Sequence, residues 1–573
     1  MKNLFIVLFI IISNIVATAQ TIVVTNKNGR IDTFDASKVD SVTFQKEIPG
    51  FTIYTNGGKA ESPCVNYSFD NVVNILGTPN PYVKTVDGTD ILSFALTDGV
   101  NYYQSFAISD SVVYVTVPNQ ANMKELKACF THNGNTVTCN GVEQKSGQTV
   151  GDFSNFVKPL IFRVESIEGK YKDYTIRLFD IPVAFITTNG RTPIYNKVDW
   201  VPASIRLIDT DGSVLLSQKV NIKGRGNASW ERYPKKSYSL KFDKGVSFFD
   251  IPKGKRWVIL GTASDWTKLR TPLCFKYEEL TGMEWSPRGQ NVEFILNDSL
   301  LCNYYLCEQV RVGKNRINIQ EMTPSDTIGE AVTGGVLFEV DRYYDEEFKF
   351  KAEISGLPFM LKNPDKNVQE KQLAYFTSYI NKIESILYSN EDTIKNTIID
   401  YLDFDSYIRW WLVSELTLDI ESTQTQNNFF MYKDRGYNSK LYAGPVWDFD
   451  WGTFWKYHLD PWLSIKNGEA WICKEVKWFK QLFSNDLFVE RVKTIWTEIQ
   501  PNLKSSITDF FEKIKIYNKN SVLREQFLFP KTFDPDNIYT NNDSGMDYDA
   551  ANTFIREVIE SRIEWLDKKI RNM

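Results

Sequence analysis

From residue 51 to about residue 180 the chain sets apolar and polar residues in short alternating runs, with no long stretch of helical periodicity. Ser111-Val112-Val113-Tyr114-Val115-Thr116-Val117 is one such run, stopped by Pro118, and Asn133-Gly134 and Asn140-Gly141 mark turns. A period of two suits a half-buried strand and cannot lay a single apolar stripe along a helix. The stretch is therefore restricted to an all-β fold, predicted here as a β-sandwich. At Ile181-Pro182 the texture changes, and hairpin and helix patterns alternate to the end. The chain is thus predicted to be multidomain: a short β segment over 20–50, the sandwich over 51–180, and an α+β domain over 181–573 with a helical C-terminal part. At about 100–200 residues per domain, 573 residues leave room for this division.

Local signals fill in the elements. Strands are expected at 22–25 and 41–44 around the polar Asn28-Gly29 stretch. In the α+β part, 203–209 should pair with 214–219 across Asp211-Gly212, and 291–296 with 301–308 across Asn297-Asp298. Helices are expected at 368–387, at 404–417 after an N-cap at Asp403, and at about 551–572. In the last of these Phe554/Ile555, Val558/Ile559, Ile563, Leu566 and Ile570 recur at helical spacing. Residues 533–546, rich in Asn and Asp, read as a loose stretch.

Composition removes whole classes of chemistry. The two histidines, His132 and His458, lie far apart, so a His-x-x-x-His zinc site is excluded. A Ser-His-Asp triad would have to use one of them, and neither has a nucleophile motif to go with it. Lys and Arg number 66 against 71 Asp and Glu, with no long basic run, which argues against nucleic acid as a partner. Met1-Lys2-Asn3, an apolar core over 4–16 and Ala17-Thr18-Ala19 before Gln20 form a signal peptide over 1–19, so export is expected. No later run of about 18 apolar residues follows, so no integral membrane span is expected. The seven scattered cysteines form no dense disulfide framework and no Cys-x-x-Cys pair. Cys129 and Cys139 flank the turn His132-Asn133-Gly134-Asn135 and would bridge if that turn closed a hairpin, whereas Cys302 and Cys307 should pack as small hydrophobes.

Three blocks carry candidate chemistry. Lys223-Gly224-Arg225-Gly226-Asn227-Ala228-Ser229-Trp230 sets two glycines round an arginine, letting backbone approach an anion, with Arg225 as a donor. Lys236, on the following strand, shares a face with Tyr238 and Leu240 by alternation. The other reading of these residues is a glycine turn before a basic edge strand. Glu308 ends the apolar run Tyr304-Tyr305-Leu306-Cys307, and a buried carboxylate there needs a cation, either Lys236 or Arg225 or a purely structural partner. In Gly444-Pro445-Val446-Trp447-Asp448-Phe449-Asp450-Trp451-Gly452 two acids stand two apart, so on an extended segment both project to one side. A hard divalent cation would resolve their repulsion, with the aromatic residues burying the other face. A solvated acidic turn is the alternative.

Taken in order, these blocks make residues 182–573 resemble the spore-coat-protein-H (CotH) kinase family. The resemblance extends through Trp257-Val258-Ile259-Leu260-Gly261, Asp265, Leu269-Arg270, Phe338-Glu339-Val340-Asp341, Glu415-Leu416-Thr417 and Met431-Tyr432-Lys433-Asp434 to Arg562-Ile563-Glu564-Trp565-Leu566-Asp567. It implies an atypical protein-kinase-like fold using ATP with Mg or Mn, and an acceptor protein whose identity it leaves open. Lys236 would then hold phosphates with Arg225, Glu308 would pair with Lys236, and Asp448, with Asp450 nearby, would bind metal. The catalytic base falls on Glu421, or on Asp419, which stands where the family commonly has Asn. Residues 114–178 resemble the immunoglobulin-like modules of exported Bacteroidetes proteins, through which contacts with cell-surface glycan or protein are expected. The competing function is a catalytically weak or inactive surface scaffold or glycan-binding protein, the latter drawing on 15 Trp and 28 Tyr.

The mature protein is expected to begin at or near Gln20. Intact-mass analysis of protein from the native host tests this, and retention of residues 2–19 overturns it.

Overall fold

The computed structural model describes residues 21–26, 31–45, 50–55, 64–68, 72–78, 87–421, 427–459, 463–530 and 541–573. The signal segment, 1–19, lies outside the described residues. The chain divides into two units: one runs to Phe185 and takes back Arg206–Leu215, the other holds Ile186–Ile205 and Leu216–Met573.

The alternating runs do become strands, and the N-terminal region is β-rich. Thr21–Asn26 pairs antiparallel with Ile31–Asp35 and with Val72–Thr78, while Gly50–Thr55 lies between Val39–Gln45 and Cys64–Ser68. Strand pairing therefore crosses residue 50, because 39–45 and 50–55 are successive arms of one hairpin. A nine-stranded sheet follows, in the order Val142–Glu143, Thr136–Cys139, Ile161–Glu165, Tyr171–Phe179, Val112–Thr116, Tyr102–Ser109, Asp87–Thr97, Leu126–Gly134, Val150–Gly151. Its neighbours are antiparallel except for Tyr171–Phe179 against Val112–Thr116. The sheet curls over its own core: Phe162 meets Phe94 and Phe130 edge-on at 5.7 and 5.9 Å, though their strands are distant in the order. The turn after Leu126–Gly134 does not close a hairpin. That strand pairs with Asp87–Thr97, and Thr136–Cys139 pairs with Ile161–Glu165, so Cys129 and Cys139 do not bridge each other and both are buried. Cys302 and Cys307 are also fully buried, as small hydrophobes.

A closed barrel comes next, ordered Val183–Thr188, Val201–Ile208, Val214–Arg225, Ser237–Phe248, Ile251–Leu260, Ser299–Glu308, Gly289–Leu296. Both expected hairpins are present in it. Asn297 and Asp298, with φ of 51° and 65°, form the left-handed pair that matches the twist of a two-residue hairpin. A five-stranded sheet, Lys349–Lys351, Pro358–Asn363, Val336–Val340, Phe429–Lys433, Leu441–Ala443, then packs in one core with the C-terminal helices. The helices Glu370–Leu387, Phe404–Thr417 and Tyr548–Arg571 occupy the expected stretches, and Asp403 caps the second by accepting from the Ser406 N–H at 2.9 Å. Among the described residues no helix is long and apolar enough to cross a membrane.

Two features depart from the sequence pattern. The 43-residue helix Asp486–Leu528 has no continuous apolar stripe, because its last turns bury polar groups. Asn518 and Ser521 accept from Asn303, Arg524 pairs with Glu293 at 2.7 Å, and Glu525 takes Lys235 and Lys268. The stretch read as loose is a buttress where it is described: Asp543 is wholly buried and accepts from Arg270, which also holds Asp265. Residues 533–540 of it lie outside the described residues.

Arg562 ties the last helix to the rest. Its guanidinium donates to the Glu415 carbonyl and carboxylate, both at 2.7 Å, and to the Gly468 and Ala470 carbonyls. Both charges are fully buried, so Arg562→Met leaves an uncompensated carboxylate and is expected to cost about 3–5 kcal/mol. Denaturant unfolding measures this, and a loss below about 1 kcal/mol would show that the pair is dispensable.

Candidate active site

The Phe404–Thr417 helix ends at Leu418, whose left-handed backbone turns the chain sharply. Two hydrogen bonds then lash the next residues to the loop that follows Leu441–Ala443. Ile420 N–H donates to the Gly452 carbonyl at 2.9 Å, and Phe454 N–H to the Thr417 carbonyl at 2.7 Å. From the other side, Val446 N–H donates to buried Glu278 at 2.6 Å, and Asn541 binds both Gly452 N–H and the Asp450 carbonyl. Trp447 and Phe449 pack on Phe275, with ring centroids at 5.7 and 6.1 Å. The loop is thus held on every side, and Glu421, Asp448 and Asp450 all line one cleft of about 540 Å³.

The cleft has an acidic and a basic side. Glu339 and Asp341, at the end of the Val336–Val340 strand, join the three acids, and Lys223, Arg225, Lys197 and Arg232 line it too. Asp448 opens into the cleft with φ at 71°, and the Arg225 guanidinium lies 5.4 Å from the Trp447 ring beside it. Although Asp448 is exposed to the cleft, the protein enclosing it on every other side and then the Asp450 charge push its carboxyl up to about 7, against the pull of Arg225. Burial raises Asp450, although the Ser264 hydroxyl, donating at 2.8 Å, favours its charged form. Glu421 stands well above the usual carboxylate range through burial, then Asp448 and Asp419, while Asn428 donates to it at 3.2 Å. Glu339 is raised by burial despite its 3.0 Å ion pair with Lys362, and burial raises Asp341 as well. Several acids thus share one site, and burial outweighs the neighbouring cations in setting their proton affinity.

Residues 222–566 match the family model described as CotH kinase protein, which is more than half of the chain. The chain belongs to the CotH kinase family. A comparison with curated proteins returned no match. Among solved structures, one described as a "putative glycoside hydrolase" from Bacteroides thetaiotaomicron is 15% identical over 52% of this chain and 89% of its own, with a TM-score of 0.15. A score that low carries no argument.

Of the acids expected in the site, Glu421, Asp448 and Asp450 line one cleft, for a reason other than alternation. The Gly444–Gly452 loop is not a strand, and its fixing at both ends, rather than alternation, sends Asp448 and Asp450 the same way. Asp419 is buried behind them, accepting the Glu421 N–H at 3.1 Å, and does not line the cleft. On the basic side Arg225 is in place and Lys236 is not. Lys236 precedes the Ser237–Phe248 strand and donates to the Trp230 carbonyl, and the face it shares with Tyr238 and Leu240 is the one buried in the barrel. The opposite face carries Ser239, whose cross-strand partner is Lys223. Lys223 therefore lines the cleft where Lys236 does not, and was missed although Lys223-Gly224-Arg225 already showed the matching parity. Glu308 does not pair with Lys236 or Arg225. It is fully buried against Arg288 at 2.9 Å and Arg316 at 3.5 Å, because its strand end lies beside those side chains. The Lys–Glu pairs that do line the cleft are those of Lys362 with Glu339 and with Glu346. Gly224 owes its identity to Trp230, whose ring would lie 2.4 Å from an added Cβ.

A carboxyl raised to about 7 in the fold and 3.8 ordinarily destabilises the fold when ionised. The penalty is absent below about pH 4 and grows as pH rises through 7. Asp448→Asn should therefore melt higher than wild type at about pH 8, with the gap closing toward pH 4. Thermal scans across that range check this, and a gap independent of pH refutes the cause.

Proposed function

We propose that this chain is an exported, ATP-dependent protein kinase, transferring the γ-phosphoryl group of ATP to a protein side-chain hydroxyl with Mg or Mn as the metal. The reading rests on one observation: Asp448, Asp450 and Glu421 line one cleft together with Arg225 and Lys223. Such a site is short of positive charge at Asp448 and Asp450 and supplies donors at Arg225 and Lys223. Among the described residues no three His, Cys, Asp or Glu side chains form a ready-made metal cage. That suits a metal held by one or two carboxylates and completed by substrate phosphates, as Mg usually is. Asp448 and Asp450 would hold it, and its charge would offset that developing on the transferred group.

Arg225 and Lys223 would hold the phosphate oxygens, and Lys362, fixed by Glu339, stands in the same cleft. Glu421 would take the proton of the acceptor hydroxyl as its oxygen bonds to the γ-phosphorus and the bond to the ADP oxygen breaks. Burial and the neighbouring acids raise the proton affinity of Glu421, which makes its ionised carboxylate the stronger base. Asp419 would act only by shaping the turn that presents Glu421. Export, from the residue 1–19 pattern, would place acceptor and reaction outside the cytoplasm.

The test is transfer of labelled phosphate from ATP by the mature chain, with calorimetric titration of metal-nucleotide alongside. Glu421→Gln should cut transfer by roughly 10²–10⁴-fold with nucleotide affinity little changed. Asp448→Asn should weaken metal-dependent nucleotide binding, whereas Asp419→Asn should keep both. Nucleotide binding without transfer in wild type would favour the inactive-scaffold reading, and absence of both would end the kinase reading.

A further inference from the structure

Outside the cleft, the sheet that carries Lys223 presents an unusual group of charges. Lys241 and Arg256 are direct cross-strand partners, and Lys223 faces Ser239 one step along the same side. Like charges placed directly opposite each other on a sheet destabilise it. All three cations close on one indole, the Trp200 ring, with centroid distances of 5.1 Å for Lys223, 5.9 Å for Lys241 and 4.9 Å for Arg256. All four side chains are half-buried, and among the described residues none of the three cations makes an ion pair. Asp365, whose charge reaches Arg256, pairs instead with Arg311 at 3.9 Å. Burial and then proximity to Arg256 disfavour the charged form of Lys223, in keeping with three cations gathered on one ring without an ion pair among the described residues.

We propose that Lys223, Lys241 and Arg256, gathered round Trp200, dock a Glu- or Asp-rich segment of the acceptor polypeptide beside the transfer cleft. The proposal rests on the phosphotransfer reading and adds the class of substrate. Lys223 belongs to both the strip and the cleft, so a chain lying along the strip enters the site directly. Charge complementarity selects an anion, and the face offers separate point charges. Backbone N–H groups along these strands are engaged in the ladder, and one guanidinium stands with two ammonium groups. A single phosphate is better held by backbone N–H groups or paired arginine forks, whereas spaced cations suit carboxylates spaced along an extended chain. The indole face limits repulsion among the cations in the empty state and gives apolar contact to the bound chain.

The experiment uses the full mature chain and a labelled peptide of alternating Glu and Ser, read by fluorescence anisotropy, with a Lys/Ser peptide and a phosphoserine peptide lacking Glu as comparators. Wild type should bind the Glu/Ser peptide best, more weakly as salt rises. The Lys241→Gln/Arg256→Gln double variant should bind it at least about tenfold more weakly with unchanged Mg-ATP affinity, since neither residue lines the cleft. The single Lys241→Glu variant, which can form a cross-strand pair with Arg256, guards against misfolding and should show the same loss. Equal binding by wild type and variants, no binding by wild type, or preference for either comparator overturns the proposal. Peptide binding that depends on Lys241 and Arg256 in a chain that binds no Mg-ATP would leave the strip standing and sink the phosphotransfer reading instead.

Discussion

Two backbone hydrogen bonds, Ile420 to Gly452 and Phe454 to Thr417, are what the candidate site depends on. They bring an acid that follows a helix to a loop carrying two more, which mutual repulsion alone would drive apart. The ties hold because each partner is anchored independently. The helix end is gripped through the Glu415 carbonyl by Arg562, a cation at the end where the helix dipole is negative. The loop is gripped by Glu278, Asn541 and the Phe275 ring. Packing and neutral hydrogen bonds carry the electrostatic cost, and a cation entering the cleft would relieve it.

The basic side of the cleft is arranged by a simpler rule. Strand alternation sends Tyr238 and Leu240 into the barrel and leaves Ser239 with its neighbour Lys223 on the other face. Lys236 has the parity of the buried face, so its position in a basic run says nothing about the cleft. The same register sets Lys223, Lys241 and Arg256 round Trp200. One sheet face thereby serves the cleft and continues beyond it.

Buried polar groups explain where periodicity misleads. The second half of the Asp486–Leu528 helix buries Asn518, Ser521, Arg524 and Glu525 against the barrel hairpin, so its inward face reads as polar. Asn541 and Asp543 look like loop residues and are instead buried hydrogen-bonding struts. Each of these residues has a partner from a distant segment, which a pattern of apolar residues does not register.

Local chemistry was legible in the chain: the alternating strands, the Asp403 cap with its helix, the Asn297-Asp298 hairpin, and the ordered motifs that mark the CotH kinase family. Asp448 and Asp450 were legible as candidates from their spacing, Arg225 from its flanking glycines and Glu421 from the family resemblance, and all four line one cleft. Pairings between distant residues were not. That Glu308 meets Arg288 and Arg316, that Lys362 meets Glu339, and that Cys129 lies on a different strand pair from Cys139 depend on which segments become neighbours. Spacing along a chain sets the face a side chain takes within its own element. Only the packing of elements sets what stands opposite, because opposite charges are matched across space and leave no periodic trace in the sequence.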